Sequence, residues 1–311
     1  MAVFVAAAIS VVWMAACGDG SNDNRLATDS LNAVYYWRTT LRIDSTERAF
    51  LHKQRITKFY CRYFDVVMGD NGEPRPNATI AFSDTLPSGI EMVPTVFITE
   101  DCMHQPHAGL AEKLVRRILQ MNETHHISGV SELQIDCDYT ARSRRQYYRF
   151  LQETAQVWDS LHSSTSLTHP SLSTTIRLHQ LSMPAPPVDY GVLMLYNTGD
   201  PRLDNERRSP DGRLAEGSKN PILDLRDVQP YLRYLKGYPL PLAAAYPVYH
   251  WVRQVGNVRL DYEVEAAEIL RVKRAVEHHR GELRRAIVTY ALDNDNIKRY
   301  KPHDYEAIYH H

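Results

Sequence analysis

Apolar and polar positions alternate along this chain in two periods. Short runs rich in aromatic and β-branched residues are separated by stretches with helical spacing. Ala33 to Trp37 reads as a first strand. Asp44-Ser45-Thr46-Glu47 carries a helix-start signature, followed by an amphipathic stretch to about Arg55. Lys58 to Val67 reads as a second strand and Asp70 to Pro76 as a turn-rich loop. Val93 to Thr99 is a third strand. Gly109 to Met121 is a helix with Leu110, Leu114, Ile118 and Leu119 on one stripe. Leu133 to Asp138 predicts strand four and Arg142 to Leu161 the next helix. Thr174 to Leu181 and Tyr190 to Tyr196 predict strands five and six, joined by a proline-rich connection. Asn197 to Asn220 reads as a long loop and Asp224 to Leu235 as a helix. Leu240 to Tyr249 is strand seven, Val264 to Arg280 a helix, Ala286 to Leu292 strand eight, and Ile297 to Tyr309 a closing helix.

Eight strands separated mostly by helices predict an α/β fold of the (β/α)8 TIM-barrel type. An open doubly wound sheet is the alternative. Against it, no glycine-rich phosphate loop follows an early strand. With 311 residues, 43% of them hydrophobic, the chain can build one such core.

The fourth strand, Glu132 to Tyr139, has two unlike faces. Leu133, Ile135 and Cys137 point one way, and Gln134, Asp136 and Asp138 the other. Burying two carboxylates costs free energy unless they are paired or used. In a barrel they would stand near the carboxyl-end mouth, where active sites are built. Neighbouring carboxylates can split their pKa values, one protonated and one ionised at neutral pH. A structural pair held by an arginine is the plainer alternative.

The formal net charge is −1, so no basic excess points to nucleic acid. The 19 tyrosines suit strand packing or, near strand ends, contact with a carbohydrate. Residues 1–17 are apolar and small, a run suited to a signal-peptide core rather than a membrane span. The run ends in Met14-Ala15-Ala16-Cys17, which resembles a bacterial lipobox. The resemblance implies lipidation of Cys17, a tether over 18–30, a barrel domain over 31–311 and a membrane partner through the lipid anchor. No Lys or Arg precedes the apolar run, which departs from the usual signal. The other cysteines, Cys61, Cys102 and Cys137, lack CxxC spacing and read as buried thiols.

Two motifs carry a further resemblance. Asp136-x-Asp138, at the end of strand four, resembles the DxxDxDxE motif of the chitinase-like glycoside hydrolase family 18. Met194-x-Tyr196, at the end of strand six, resembles that family's MxYD motif. The chain departs from the pattern at three positions. Leu133 stands at the first Asp, Thr140 at the catalytic Glu and Asn197 at the last Asp. In that family the Glu protonates the glycosidic oxygen while the substrate's acetamido group attacks, a role Thr140 cannot fill. The strand Gln134-Ile135-Asp136-Cys137-Asp138 is also similar to the QxDxD strand of bacterial barrel lipoproteins distantly related to these glycosidases. That similarity covers about residues 30–311. It implies a cell-envelope, extracytoplasmic barrel that acts on a glycan or binds one.

Hydrolysis would need two carboxylates flanking the bond. Asp136 or Asp138 would be one. Glu100, Asp101 or Asp293, each after a strand, would supply the other. Arg177 is expected beside Asp138, with His179 on the same strand face. Tyr196, Tyr249 and Trp251 are candidates for sugar contact, with Trp37 and Tyr246 as further aromatics at strand ends. Adjacent histidine pairs such as His125-His126 read as surface residues. No HExxH, GxSxG or P-loop spacing occurs, so no metal or cofactor is expected. No long heptad pattern suggests an oligomer, so a monomer is expected.

Overall fold

The computed structural model describes residues 31–162, 170–199, 217–255 and 258–310. The lipobox cysteine Cys17, the tether and most of the predicted loop at 197–220 lie outside the described residues. Eight parallel strands close into a barrel: β1 (Leu31–Tyr36), β2 (Lys58–Met68), β3 (Glu91–Ile98), β4 (Glu132–Asp136), β5 (Ser171–Ile176), β6 (Tyr190–Met194), β7 (Leu242–Pro247) and β8 (Ala286–Tyr290). Each pairs with its sequence neighbour. Closure comes from β1, which pairs with both β8 and β2, Val34 lying beside Thr289 on one side and Phe59 on the other. The main outer helices are α1 (Ser45–Lys53), α2 (Leu110–Thr124), α3 (Arg144–His162), α4 (Ala266–His279) and α5 (Pro302–His310).

Strand alternation sorts the core into two shells. Val34, Leu133, Ile135, Leu193, Ala244 and Ile287 face outward and pack with Leu114, Val115, Phe150, Trp158, Ile269, Val272 and Ile308 of the helices. Ala33, Tyr35, Tyr60, Val192, Met194, Ala243, Ala245 and Val288 face inward. Small residues on β7 leave room for the tyrosines opposite.

The interior is polar along β4. Glu132, fully buried, is ion-paired with Lys58 of β2 and accepts the Ser173 hydroxyl of β5 at 2.6 Å. Lys58 also lies 3.6 Å from Glu91, which accepts the Ser131 hydroxyl at 2.6 Å. One layer up, Gln134 accepts the Tyr35 hydroxyl from across the barrel at 2.8 Å.

Several elements differ from the sequence expectation, each for a local reason. Strand five stops at Ile176, because Gln180 folds back, accepts the Arg177 N–H and donates to the Tyr139 carbonyl. The chain then makes a 3-10 turn, Leu178–Ser182, with His179 exposed on it rather than on a strand face. Within the expected loop at 70–76 a short strand, Pro74–Asn77, begins and returns antiparallel to β2. The helix expected over 224–235 is two short helical turns around a 3-10 turn holding Pro230. Two further strands, Trp251–Val255 and Val258–Tyr262, pair as a hairpin after β7; Gly256-Asn257 between them is the turn signal the strand-helix reading passed over.

Replacing Lys58 by Met should leave Glu132 buried without its cation and cost about 3 kcal/mol. The double replacement Lys58→Met with Glu132→Leu should cost less than that single change. Urea unfolding of the three proteins checks the ordering.

Candidate active site

The carboxyl ends of the strands define the mouth. Asp136, the last residue of β4, points inward and is 3% exposed. Its carboxylate accepts the Thr175 hydroxyl of β5 at 2.6 Å, its one side-chain hydrogen bond among the described residues. Burial pushes its carboxyl from the ordinary 3.8 up to about 6. The Arg177 guanidinium opposes that rise, and the charges of Asp138 and Asp65 add to it.

Two residues on, Asp138 lies at the rim with its carboxylate half exposed. Arg177, just past β5, grips it with two nitrogens, one of them Nη2 at 3.1 Å. The expected Asp138–Arg177 pair is therefore present. It holds the connection after β4 against the connection after β5.

A second arginine–carboxylate pair stands on β2. The pairing register with β3 shifts between Arg62 and Phe64. This bulge sends Tyr63 and Phe64 outward together and brings Arg62 and Asp65 together. Arg62 Nε donates to Asp65 Oδ1 at 2.7 Å, and the guanidinium carbon lies 5.7 Å from the Trp37 ring centre.

Aromatic side chains form the opposite wall. Tyr196 stacks on Tyr290 at 4.8 Å and 22°. Tyr249 meets both edge-on, and Trp37 and Tyr35 each lie within 6 Å of Tyr290. The Tyr249 hydroxyl donates to Asn197 at 2.6 Å. Asn197 has φ +53, a left-handed backbone that Asn tolerates better than most residues. The Tyr196 hydroxyl is buried and has no hydrogen-bond partner among the described residues. Burial raises the Tyr196 phenol well above its ordinary range, so it remains a neutral donor.

Five of the expected residues are placed elsewhere. Glu100 opens a 3-10 turn, Glu100–Met103, after β3. It accepts the Thr140 hydroxyl at 2.6 Å and the Ser143 hydroxyl at 2.7 Å. Burial raises its carboxyl, but these hydrogen bonds, with nearby His104, bring it below the ordinary carboxylate range. It stays ionised and ties the β3 turn to the start of α3, so it is not poised as an acid across the mouth. Asp293 caps the short helix Asn294–Arg299, accepting the Asp295 N–H at 2.8 Å. Trp251 stacks on Tyr262 of its own hairpin, at 4.8 Å and 17°. Asp101, the remaining carboxylate expected across the mouth, lies within the same turn as Glu100 and accepts the Cys102 N–H at 3.0 Å and the Thr99 hydroxyl. Tyr246 packs in the outer shell with the helices.

The sequence reading overlooked Arg62, Asp65 and Tyr290. Alternation along β8 already put Tyr290 in register with Ala286 and Val288. The Arg62–Asp65 pair had no such signal, because spacing in the sequence does not announce a bulge. Among the described residues no group of three His, Cys, Asp or Glu side chains converges as a metal site, and Cys61, Cys102 and Cys137 are buried free thiols.

No protein-family model matches this sequence, and no curated protein matches it. Solved structures do. A chitinase from Chromobacterium violaceum superposes with a TM-score of 0.54 at 11% identity, over 90% of this chain and 98% of that one. The spore cortex-lytic enzyme SleL of Bacillus cereus gives 0.54 at 15%, over 90% and 74%. A mutant class V chitinase from Nicotiana tobaccum in complex with NAG4 gives 0.55 at 10%, over 90% and 99%. The fold is thus a chitinase-like TIM barrel. At these identities the likeness establishes the architecture, and the site must be read from this chain's own residues.

The Asp136 carboxyl should titrate near pH 6. The folded state binds its proton more tightly than the unfolded chain, so Asp136 should lower stability as pH rises from about 4 to 6, by about 3 kcal/mol. Asp136→Asn should remove that loss. Arg177→Gln should move the midpoint upward, since the guanidinium favours the charged form. Carboxyl-carbon NMR titration and urea unfolding at pH 4 and pH 8 check these outcomes.

Proposed function

We propose that this chain is a glycan-binding barrel, anchored by lipid at Cys17 on an extracytoplasmic membrane face and acting as a monomer. The observation that carries the binding reading is the state of the carboxylates. Thr140 stands at the position of the resembling family's acid, and its hydroxyl is committed to Glu100. Asp138 is clamped by Arg177, Asp65 by Arg62, and Asp293 caps a helix. A two-carboxylate glycosidase needs both groups free to act on opposite sides of one bond, and a substrate-assisted one needs an acid at the position Thr140 occupies.

What remains at the rim suits recognition. Trp37, Tyr249 and Tyr290 are only partly buried and offer ring faces and edges to a sugar. Asn197, Asp138 and Arg177 supply polar groups beside them. The fold neighbours include a chitinase-like agglutinin from Robinia pseudoacacia, with a TM-score of 0.52 at 10% identity over 88% of this chain. A barrel of this kind therefore also occurs in a protein whose name denotes agglutination.

One observation favours a second reading, a glycosidase of different design. Asp136 titrates near 6 and is protonated in mildly acidic surroundings, as a general acid must be. Asp138 or Asp65 would then have to leave its arginine to act as base or nucleophile.

Incubation of the purified chain with an oligosaccharide panel should give binding by calorimetry and no new products by mass spectrometry. Trp37→Ala and Tyr290→Ala should each weaken binding about tenfold. Products that vanish with Asp136→Asn would establish the glycosidase reading instead.

A further inference from the structure

We propose that the amino-terminal face of the barrel, opposite the mouth, is a docking surface for an anionic lipid bilayer. The proposal extends the lipid-anchor reading and rests on it. An open cavity of about 470 Å³ lies on this face, between the end of α1, the turn preceding β8 and the end of α5. Lys53, Arg55, Arg284 and Arg285 line it, against one carboxylate, Glu306. The whole chain has a net charge of −1, so this local excess of cations does not follow from composition.

Elsewhere in the barrel arginines stand against carboxylates, Arg62 with Asp65, Arg177 with Asp138, and Arg38, after β1, with Glu47 of α1. Here the pattern breaks. The exposed side chains of Lys53 and Arg55 make no hydrogen bond or ion pair among the described residues, and Arg284 donates only to the Gly281 carbonyl of its own turn. The acids nearby are already used: Glu282 pairs with Arg280, and Glu91 with Lys58 and Ser131. Like charges gathered in excess of counter-charge repel one another, and an external anion relieves that repulsion.

The chain's own entry point selects the anion. Leu31, the first residue of β1, opens on this face, where the Asn32 side chain donates to the Gln54 carbonyl. Cys17 lies 14 residues before Leu31 (31 − 17), so an anchor there can stand at most about 50 Å from this face. Anionic headgroups attract basic side chains held near the membrane surface. With this face down, the mouth points away from the bilayer, toward glycan in the surrounding space.

The test is vesicle flotation of the full chain, on phosphatidylcholine alone and on phosphatidylcholine mixed with phosphatidylglycerol. The mixed vesicles should bind more chain, and added salt should erase the difference. The triple variant Lys53→Gln, Arg55→Gln, Arg284→Gln should lose roughly fivefold of that preference for each charge removed. A control carrying Arg142→Gln, Arg145→Gln and Arg149→Gln, an equal change of charge at the start of α3, should keep it. Circular dichroism confirms that both variants are folded. Equal binding to both vesicle types, or equal losses in variant and control, would overturn the docking surface. Neutral vesicles read the anchor separately: a chain that floats with them but shows no anionic preference is anchored without this surface. One that floats only with mixed vesicles has the surface without the anchor.

Discussion

Everything in the barrel answers to one constraint, a file of polar side chains along the inner face of β4. Glu132, Gln134 and Asp136 are buried together, and Asp138 follows at the rim. A buried polar group without a partner costs more than a typical hydrogen bond returns, so each must be met from a neighbouring strand. Lys58 and Ser173 meet Glu132, Tyr35 and Ser173 meet Gln134, and Thr175 meets Asp136. The partners come from β1, β2 and β5. A one-residue slip of β4 would turn Leu133 and Ile135 inward and drive this file into the apolar layer beneath α2 and α3. The polar file thus sets the register of the barrel as well as the chemistry of its axis.

Along the file, compensation changes from bottom to top. At the base the carboxylate is met by a full cation and a hydroxyl. At Asp136 only a hydroxyl is in contact, with the guanidinium of Arg177 acting through space. Burial wins there, and its carboxyl rises to about 6. At the rim Arg177 closes on Asp138 directly. The result is a mouth with one protonatable group beneath a fixed ion pair, walled by tyrosine rings whose hydroxyls burial keeps neutral.

Local pattern made much of this legible. Alternation around Gln134 and Asp136 gave the inner face of β4, and the strand-helix alternation gave the closed barrel. The positions of Asp138 and Arg177 at the ends of neighbouring strands foretold their pairing. What stayed hidden depends on backbone irregularity or on competition for a side chain. The bulge between Arg62 and Phe64 brings Asp65 beside Arg62 against the two-residue period. The fold-back of Gln180 ends β5 early. Glu100 and Asp293 follow strands, as catalytic carboxylates in such barrels do, yet each is taken up locally, Glu100 by the Thr140 and Ser143 hydroxyls and Asp293 by the Asp295 N–H at a helix start. In sequence, a capping carboxylate and a catalytic one look alike.

That competition also bears on the proposed binding role. Thr140 does more than lack a carboxyl. Its hydroxyl donates to Glu100 and its N–H to Ser143, while Ser143 donates to the same Glu100 oxygen, so the connection leading into α3 is built around a small donor at this position. A glutamate at 140 would remove one of the two donors that keep Glu100 ionised and set a second negative charge against it. Like charges this close raise each other's pKa and push the chain apart. Threonine at 140 is therefore integrated into the packing of the turn after β3 against the start of α3. An acid at 140 would require Glu100 and Ser143 to change with it.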